Sequence, residues 1–289
     1  LETARVPHAD RHGLLWLERG RLAVEGGNLV FTTAGNDKLD AGAYEIPFQQ
    51  ISCLLLGPGT AITHDVMRLL ARQQTGMLAV GSNGIRLYAS SMPFGPDRSV
   101  LARKQVILWS DEISRTEVVR KMYEHRFGEP LPEYARDIES LRGIEGKRMK
   151  KIYQMLAQQY GIKWQGRRFD RSNPESDDTI NKAINHATTA TYAAAQIAVA
   201  VTGTIPQLGF IHESSGRAFA LDIADLFRST VSLPIAFRAA KQIQIGRANQ
   251  IESETRKLAG QMFQSNKVIP EMIDKIKELL TVDDDRDHA

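Results

Sequence analysis

The chain has 289 residues, 42% hydrophobic and 25% charged, enough apolar material for one large domain or two ordinary ones, which excludes a disordered or disulfide-stapled small protein. Its 37 basic and 34 acidic residues give +3, but the segment 283–289 holds four Asp and one Arg, so the body has 36 basic and 30 acidic residues, or +6. A moderately basic body with a solvated acidic tail is compatible with a nucleic-acid partner, and many unrelated enzymes share it.

Short β-prone runs at 14–17, 21–24 and 29–33, separated by Arg19-Gly20 and Gly26-Gly27-Asn28 turns, predict strands. The apolar run 51–56 predicts a strand covered on both faces and ends at Pro58-Gly59. Inside it Cys53 reads as packing rather than as a nucleophile. It is the chain's one cysteine, which excludes an internal disulfide framework and fits a reducing cytoplasm. No signal peptide is read at the start, so a cytoplasmic location is expected. Thr63 caps a predicted helix over 63–74 with Val66, Met67, Leu69 and Leu70 as its apolar positions. Strands over 77–80 and 85–88 flank a Ser82-Asn83-Gly84 turn as a hairpin.

Two prolines and a glycine between Ser91 and Asp97 break this pattern and mark a linker at 92–97. Beyond it the periodicity is helical, with helices expected near 98–127, 136–160, 178–202, 222–229, 233–244, 249–263 and 268–280. The apolar stretch 183–203 holds His186, Thr188, Thr189, Thr191 and Gln196, which makes it a buried helix and not a membrane span. The fold class expected is α+β: a small β-rich domain over 1–91, then a larger all-α domain over 98–282, with 283–289 an acidic, disordered tail.

The chemistry-bearing stretch runs from Ile211 to Asp225, I-H-E-S-S-G-R-A-F-A-L-D-I-A-D. His212 precedes two carboxylates, Asp222 and Asp225, whose spacing of three puts them on one helix face. One imidazole beside hard oxygen donors suits Mg²⁺ or Mn²⁺, and Glu145 is the candidate third acid. Glu145 falls on the stripe traced by Leu141, Ile144, Arg148, Met149, Ile152 and Leu156. A carboxylate among apolar neighbours takes up a proton or finds a cation. Gly143 and Gly146 flank it and weaken a helix, so either a ligand or another backbone comes close here, or this is a frayed surface turn in which Glu145 pairs with Arg148. Asp222 can equally be a helix N-cap, and a lone His212 is more often a structural hydrogen-bonder. Asn181, Asn185, Thr188 and Tyr192 form a polar ladder beside His186, readable as packing glue or as support for the acidic site. Basic residues gather near Glu145, namely Arg142, Lys147, Arg148, Lys150 and Lys151. Arg167 and Arg168 follow, with Trp164 and Phe169 nearby, and Arg68, Arg72 and Arg86 beside Tyr88 offer a second basic surface for DNA.

Across roughly residues 5–280 the chain resembles the universal CRISPR adaptation integrase in its type I-E form. The resemblance rests on L-L-G-P-G-T at 55–60, G-I-R-L-Y-A-S at 84–90, V-V-R-K-M-Y-E-H-R-F-G-E-P at 118–130, L-R-G-I-E-G-K-R at 141–148, Y-G-I-K-W-Q-G-R-R-F-D at 160–170, D-T-I-N at 178–181, and G-F-I-H with L-D-I-A-D at 209–225. It implies a dimerising β domain and a helical catalytic domain with Glu145, His212 and Asp225 as ligands of Mg²⁺ or Mn²⁺, Asp222 as an accompanying catalytic acid, and Arg86 as a DNA contact. Arg68, Lys147, Arg148, Arg167 and Arg168 are the other expected DNA contacts. The implied partners are protospacer and CRISPR repeat DNA, a second copy of the chain, and the small second adaptation protein in a hetero-hexamer; no membrane is involved. The implied activity is attack of a protospacer 3′-hydroxyl on a repeat-edge phosphodiester. The alternatives are a stand-alone metal-dependent nuclease acting on branched DNA and a non-catalytic DNA scaffold. Two positions depart from the relative: Arg19 stands where it has an aromatic wedge, and Phe169 stands where it has a Tyr.

Overall fold

The computed structural model describes residues 13–36, 39–91, 99–132, 138–167 and 178–281. The expected linker 92–97, the tail 283–289, Arg168 and Phe169 lie outside the described residues. As expected, a β-rich region precedes a helical one.

Eight strands make two four-stranded sheets among the described residues. They are β1 (Gly13–Leu17), β2 (Gly20–Glu25), β3 (Asn28–Thr33), β4 (Gly42–Ile46), β5 (Ile51–Leu56), β6 (Thr60–Ile62), β7 (Gly76–Val80) and β8 (Leu87–Ser91). One sheet runs β1-β5-β7-β8, parallel except for the final antiparallel pair; the other runs β4-β3-β2-β6 with β6 parallel to β2. Strand β5 is central and buried on both faces, as its unbroken apolar run requires. Strands β4 and β6 have no counterpart in the sequence reading. The first is an edge strand whose apolar alternation is confined to Tyr44 and Ile46, and the second is three residues long, just after the Pro58-Gly59 turn. The hairpin forms as expected, with its second strand displaced to Leu87–Ser91 because Asn83 adopts a left-handed backbone and lengthens the turn. Helix α1 (His64–Arg72) follows β6 and closes the smaller core with Val66 and Leu70.

The helical region comprises α2 (Val100–Ser110), α3 (Glu112–Phe127), α4 (Ile138–Tyr160), α5 (Thr179–Thr202), α6 (Ala218–Leu226), α7 (Leu233–Gln244), α8 (Ile251–Ser265) and α9 (Val268–Leu280). A π-helical turn, Arg228–Ser232, joins α6 to α7. The single helix expected over 98–127 is two helices. Asp111 leaves helical geometry, and its side chain accepts the Ser114 amide at 2.8 Å, which starts α3 afresh. Helix α5 is the axis, capped by Asp178 at its start and by left-handed Gly203 at its end. Ala183, Ala187, Ala190, Ala194 and Ala198 keep it slim enough for α6, α7, α8 and α9 to pack around it. No described helix is long and apolar enough to cross a membrane.

The β and helical regions share a core. Cys53, Leu55, Leu78 and Val80 belong to the same buried cluster as the helices. The hairpin turn docks on α8, where a Cβ on Gly260 would stand 2.7 Å from the Asn83 side chain, and Asn83 also bonds Gln264.

Candidate metal centre

The segment from Gly203 to Arg217, which carries His212, has almost no regular structure of its own and is fixed by its neighbours. From α2, buried Gln105 accepts the Ile205 amide at 2.7 Å and donates to the carbonyls of Ile205 and Leu208 at 3.0 and 2.8 Å. Trp109 donates its indole N–H to Gly209 O at 3.0 Å, and Arg115 on α3 donates to Phe210 O at 3.1 Å while pairing with Glu213. Gly209 sits where a Cβ would lie 2.2 Å from His212 O and 2.7 Å from Ala218 Cβ, so the loop closes onto α6 only with glycine there. Gln105, Trp109 and Arg115 were not picked out from the sequence, because nothing in an amphipathic helix announces a hydrogen bond to a loop about 100 residues away.

Asp222 completes the loop's anchoring. It lies inside α6, which starts at Ala218 rather than near 222, so it is not a cap. Its side chain is fully buried and saturated. Oδ2 accepts the amides of Phe210 and Ile211 at 2.6 and 3.0 Å; Oδ1 accepts the His212 amide at 3.0 Å and contacts His212 Nδ1 at 2.6 Å. An ionised carboxylate only accepts, so Nδ1 carries a proton and Nε2 is the nitrogen left to offer a lone pair. The Asp222 bond raises the His212 pKa above its ordinary value; burial opposes it, and Asp225 adds to it.

One turn on, Asp225 faces the same pocket. Its Oδ2 lies 4.0 Å from His212 Nε2 and 3.7 Å from Arg126 Nη2, and its Oδ1 lies 3.8 Å from Arg228 Nη1. The same nitrogen of Arg126 hydrogen-bonds Glu145. So Glu145 on α4 and Asp225 on α6 meet at one guanidinium atom from α3, beside the free face of His212. The three expected donors are brought together. The part-buried carboxylate on the α4 stripe has its cation, though it is Arg126 rather than Arg148, which reaches Glu129 and the Phe127 carbonyl instead. Among the described residues no trio of His, Cys, Asp or Glu stands at metal-holding separation as arranged here, and Arg126 lies between the acids. The donor chemistry fits a hard divalent ion: two carboxylates and one imidazole nitrogen converge where a positive charge already sits.

Gly143 and Gly146 are exposed, and a Cβ on either would meet nothing within 4 Å. No other described backbone approaches them, which leaves an arriving ligand or a plain exposed helix turn as the readings of these glycines. The polar ladder on α5 makes its own set of contacts. Asn181 and Asn185 accept from Arg167, Asn181 also donates to Gly166 O, and Tyr192 lies under Arg217. Of the expected DNA-contacting side chains, Arg86 and Lys147 are exposed, and Arg68 is exposed beside Asp65 at 2.8 Å. Arg148 is engaged with Glu129 and stacks on Phe127, its guanidinium carbon 4.8 Å from the ring centre, while Arg167 holds the loop before α5. Arg228, also not foreseen, donates to Tyr153 Oη at 3.2 Å and flanks Asp225.

Residues 128–267 match the family model described as CRISPR associated protein Cas1. The chain is 37% identical over 275 residues to the CRISPR-associated endonuclease Cas1 of Escherichia coli (strain K12), covering 95% of this chain and 87% of that protein. It is 36% identical over 277 residues to the same-named protein of Geobacter sulfurreducens, covering 95% and 86%. Among solved structures, the TtCas1–DNA complex superposes with a TM-score of 0.83 at 29% identity, covering 93% of this chain and 97% of that one. The β-rich region followed by helices, the convergence of α3, α4 and α6 on one pocket, and similarity along nearly the whole length agree: the chain belongs to the Cas1 family of CRISPR-associated endonucleases.

Proposed function

We propose that this chain is a divalent-metal-dependent DNA integrase and endonuclease that joins the 3′-hydroxyl of a protospacer strand to a phosphodiester at the edge of a CRISPR repeat. The observation that carries this reading is the meeting of Glu145 and Asp225 at one cationic atom beside the Nε2 face of His212. Glu145, Asp225 and His212 would hold Mg²⁺ or Mn²⁺. When bound, such an ion supplies Lewis-acid polarisation of a phosphoryl oxygen and help in activating a hydroxyl. Asp222 is the positioning residue that presents Nε2, because its bond to Nδ1 fixes the ring and its bonds to three amides fix the loop. Arg228 holds Asp225 from the other side. The exposed Arg86, Lys147 and Arg68 hold DNA phosphates without reading sequence. The TtCas1–DNA complex supports DNA as the substrate class. The expected assembly is a homodimer bound through a second small adaptation protein into a hetero-hexamer.

The test is integration into a supercoiled, repeat-containing plasmid, with and without EDTA and the partner protein. Wild type joins only with metal and partner, while Asp225→Ala loses joining by at least about 10²-fold and keeps DNA binding nearly unchanged. Joining that survives in Asp225→Ala overturns the donor assignment. Cleavage of branched DNA at an equal rate without the partner would favour a stand-alone nuclease.

A further inference from the structure

The positive charge between the two acids is built into the fold. Arg126 projects from α3, its side chain is 7% exposed, and its guanidinium carbon lies 5.2 Å from the centre of the Tyr123 ring. That ring is fully buried, and the Tyr123 hydroxyl has no hydrogen-bond partner. An aromatic face therefore holds the guanidinium from one side, and Glu145 and Asp225 hold it through Nη2 from the other. Two carboxylates in a part-buried pocket repel unless a cation separates them, and here Arg126 separates them. A divalent ion between the same carboxylates would meet the same demand. Ion and guanidinium cannot both do so, because two positive charges at contact in a part-buried site repel strongly.

We propose that Arg126 is an internal competitor for the divalent ion, which neutralises Glu145 and Asp225 in the metal-free protein and must leave them before the ion is held. The proposal rests on the reading of Glu145, His212 and Asp225 as donors given above. A displaced guanidinium in this pocket is a desolvated charge without a partner, an expensive state. An arriving DNA phosphate relieves it, since the planar fork of arginine matches a phosphodiester. DNA and metal therefore load the site cooperatively, each strengthening the other by the same factor. The device keeps the acids paired and inert until substrate and ion are both present.

Mn²⁺ binding, followed by electron paramagnetic resonance of the free ion, tests this on wild type, Arg126→Gln and Glu145→Gln. Each is titrated with and without a short duplex, after subtracting the ions taken up by the duplex alone. Without DNA, Arg126→Gln is expected to bind Mn²⁺ roughly 10-fold more tightly than wild type, and the duplex tightens Mn²⁺ in wild type but not in Arg126→Gln, within the common coupling range of about 5–150-fold. A merely structural arginine would give weaker metal binding when removed, not tighter. Arg126→Gln binding no more tightly than wild type, while Glu145→Gln loses binding, overturns the competitor role and leaves the donor set standing. The wild-type arm holds even if Arg126→Gln does not fold, since a duplex that leaves Mn²⁺ affinity unchanged also overturns the proposal. Wild type that binds no Mn²⁺ with or without DNA removes instead the donor reading on which the proposal rests.

Discussion

Asp222 and His212 form one unit: Oδ1 of the first lies 2.6 Å from Nδ1 of the second and 3.0 Å from its amide. The carboxylate thus builds the loop and aims the ring with the same oxygen. Asp222→Asn replaces one acceptor oxygen with an NH₂ group that must face backbone or ring N–H donors. The expected result is a stability loss of about 1–3 kcal/mol in urea unfolding, from buried donors left without acceptors. A roughly 10- to 100-fold drop in Mn²⁺ affinity is expected with it, since the ring is no longer aimed. Unchanged stability in Asp222→Asn would contradict the saturated role given to this side chain.

Two histidines are shifted in opposite directions, which makes a signed pH prediction. His125, tilted against Phe227 with ring centres 5.8 Å apart, has its pKa lowered by burial and then by Lys275, with Glu278 opposing. Its contribution to stability is full above the unfolded value of 6.5 and is lost as pH falls toward its folded pKa. His212 is shifted upward, chiefly by its bond to Asp222, so its contribution is full below 6.5 and is lost as pH rises through its folded pKa. Urea unfolding between about pH 5 and pH 8 should show the gap between wild type and His125→Gln narrowing toward acid. The gap between wild type and His212→Gln should narrow toward base. Parallel curves for the two variants would remove both assignments.

The loop closure at Gly209 predicts a position-specific failure. A Cβ at 2.2 Å from a backbone oxygen cannot be absorbed by a side-chain rotation, so Gly209→Ala must push His212 or Ala218 aside. Overpacking of this kind costs about 1–3 kcal/mol. DNA joining should fall with it while DNA binding, carried by exposed cations outside this loop, persists. Gly143→Ala and Gly146→Ala are the contrast, because a Cβ there meets nothing within 4 Å and helix propensity gains about 1 kcal/mol at each. These two variants should be at least as stable as wild type in thermal unfolding, so a loss of DNA joining in them would locate a ligand against α4.

Sequence periodicity made the long helices legible. The α4 stripe put Glu145 among apolar neighbours, and burial with a cationic partner followed from that position. The partner was not legible. Arg126 is 19 residues away on another helix, and which arginine of several reaches a carboxylate is decided by how α3 crosses α4. Asp222 was ambiguous for a different reason, since capping a helix and bracing a preceding loop use the same acceptor atoms and the same residue type. The break at Asp111 could have been read, because an aspartate followed by Glu112 and Ser114 is a helix start, but the apolar pattern runs across it. Strand β4 shows its inner face only through Tyr44 and Ile46, too short an alternation to stand out in the sequence.

The basic residues divide by engagement, and the division predicts two distinct phenotypes. Arg86 and Lys147 are exposed, so neutralising a phosphate is the role open to them. Arg86→Ala and Lys147→Ala should each weaken DNA binding uniformly across sequences and reduce the slope of log affinity against log salt by about 1, with folding unchanged. Arg167 instead bonds Asn181 at 2.9 Å and also reaches Asn185, fastening the segment before α5 to that helix. Arg167→Ala should lower the unfolding midpoint through a loss of about 1–3 kcal/mol, the cost of charged hydrogen bonds to part-buried amides. Its salt slope should stay close to that of wild type. Binding isotherms at several salt concentrations, paired with thermal unfolding of the same preparations, separate the two groups. An Arg167→Ala variant with unchanged stability and a reduced slope would move that side chain from the scaffold to the DNA surface.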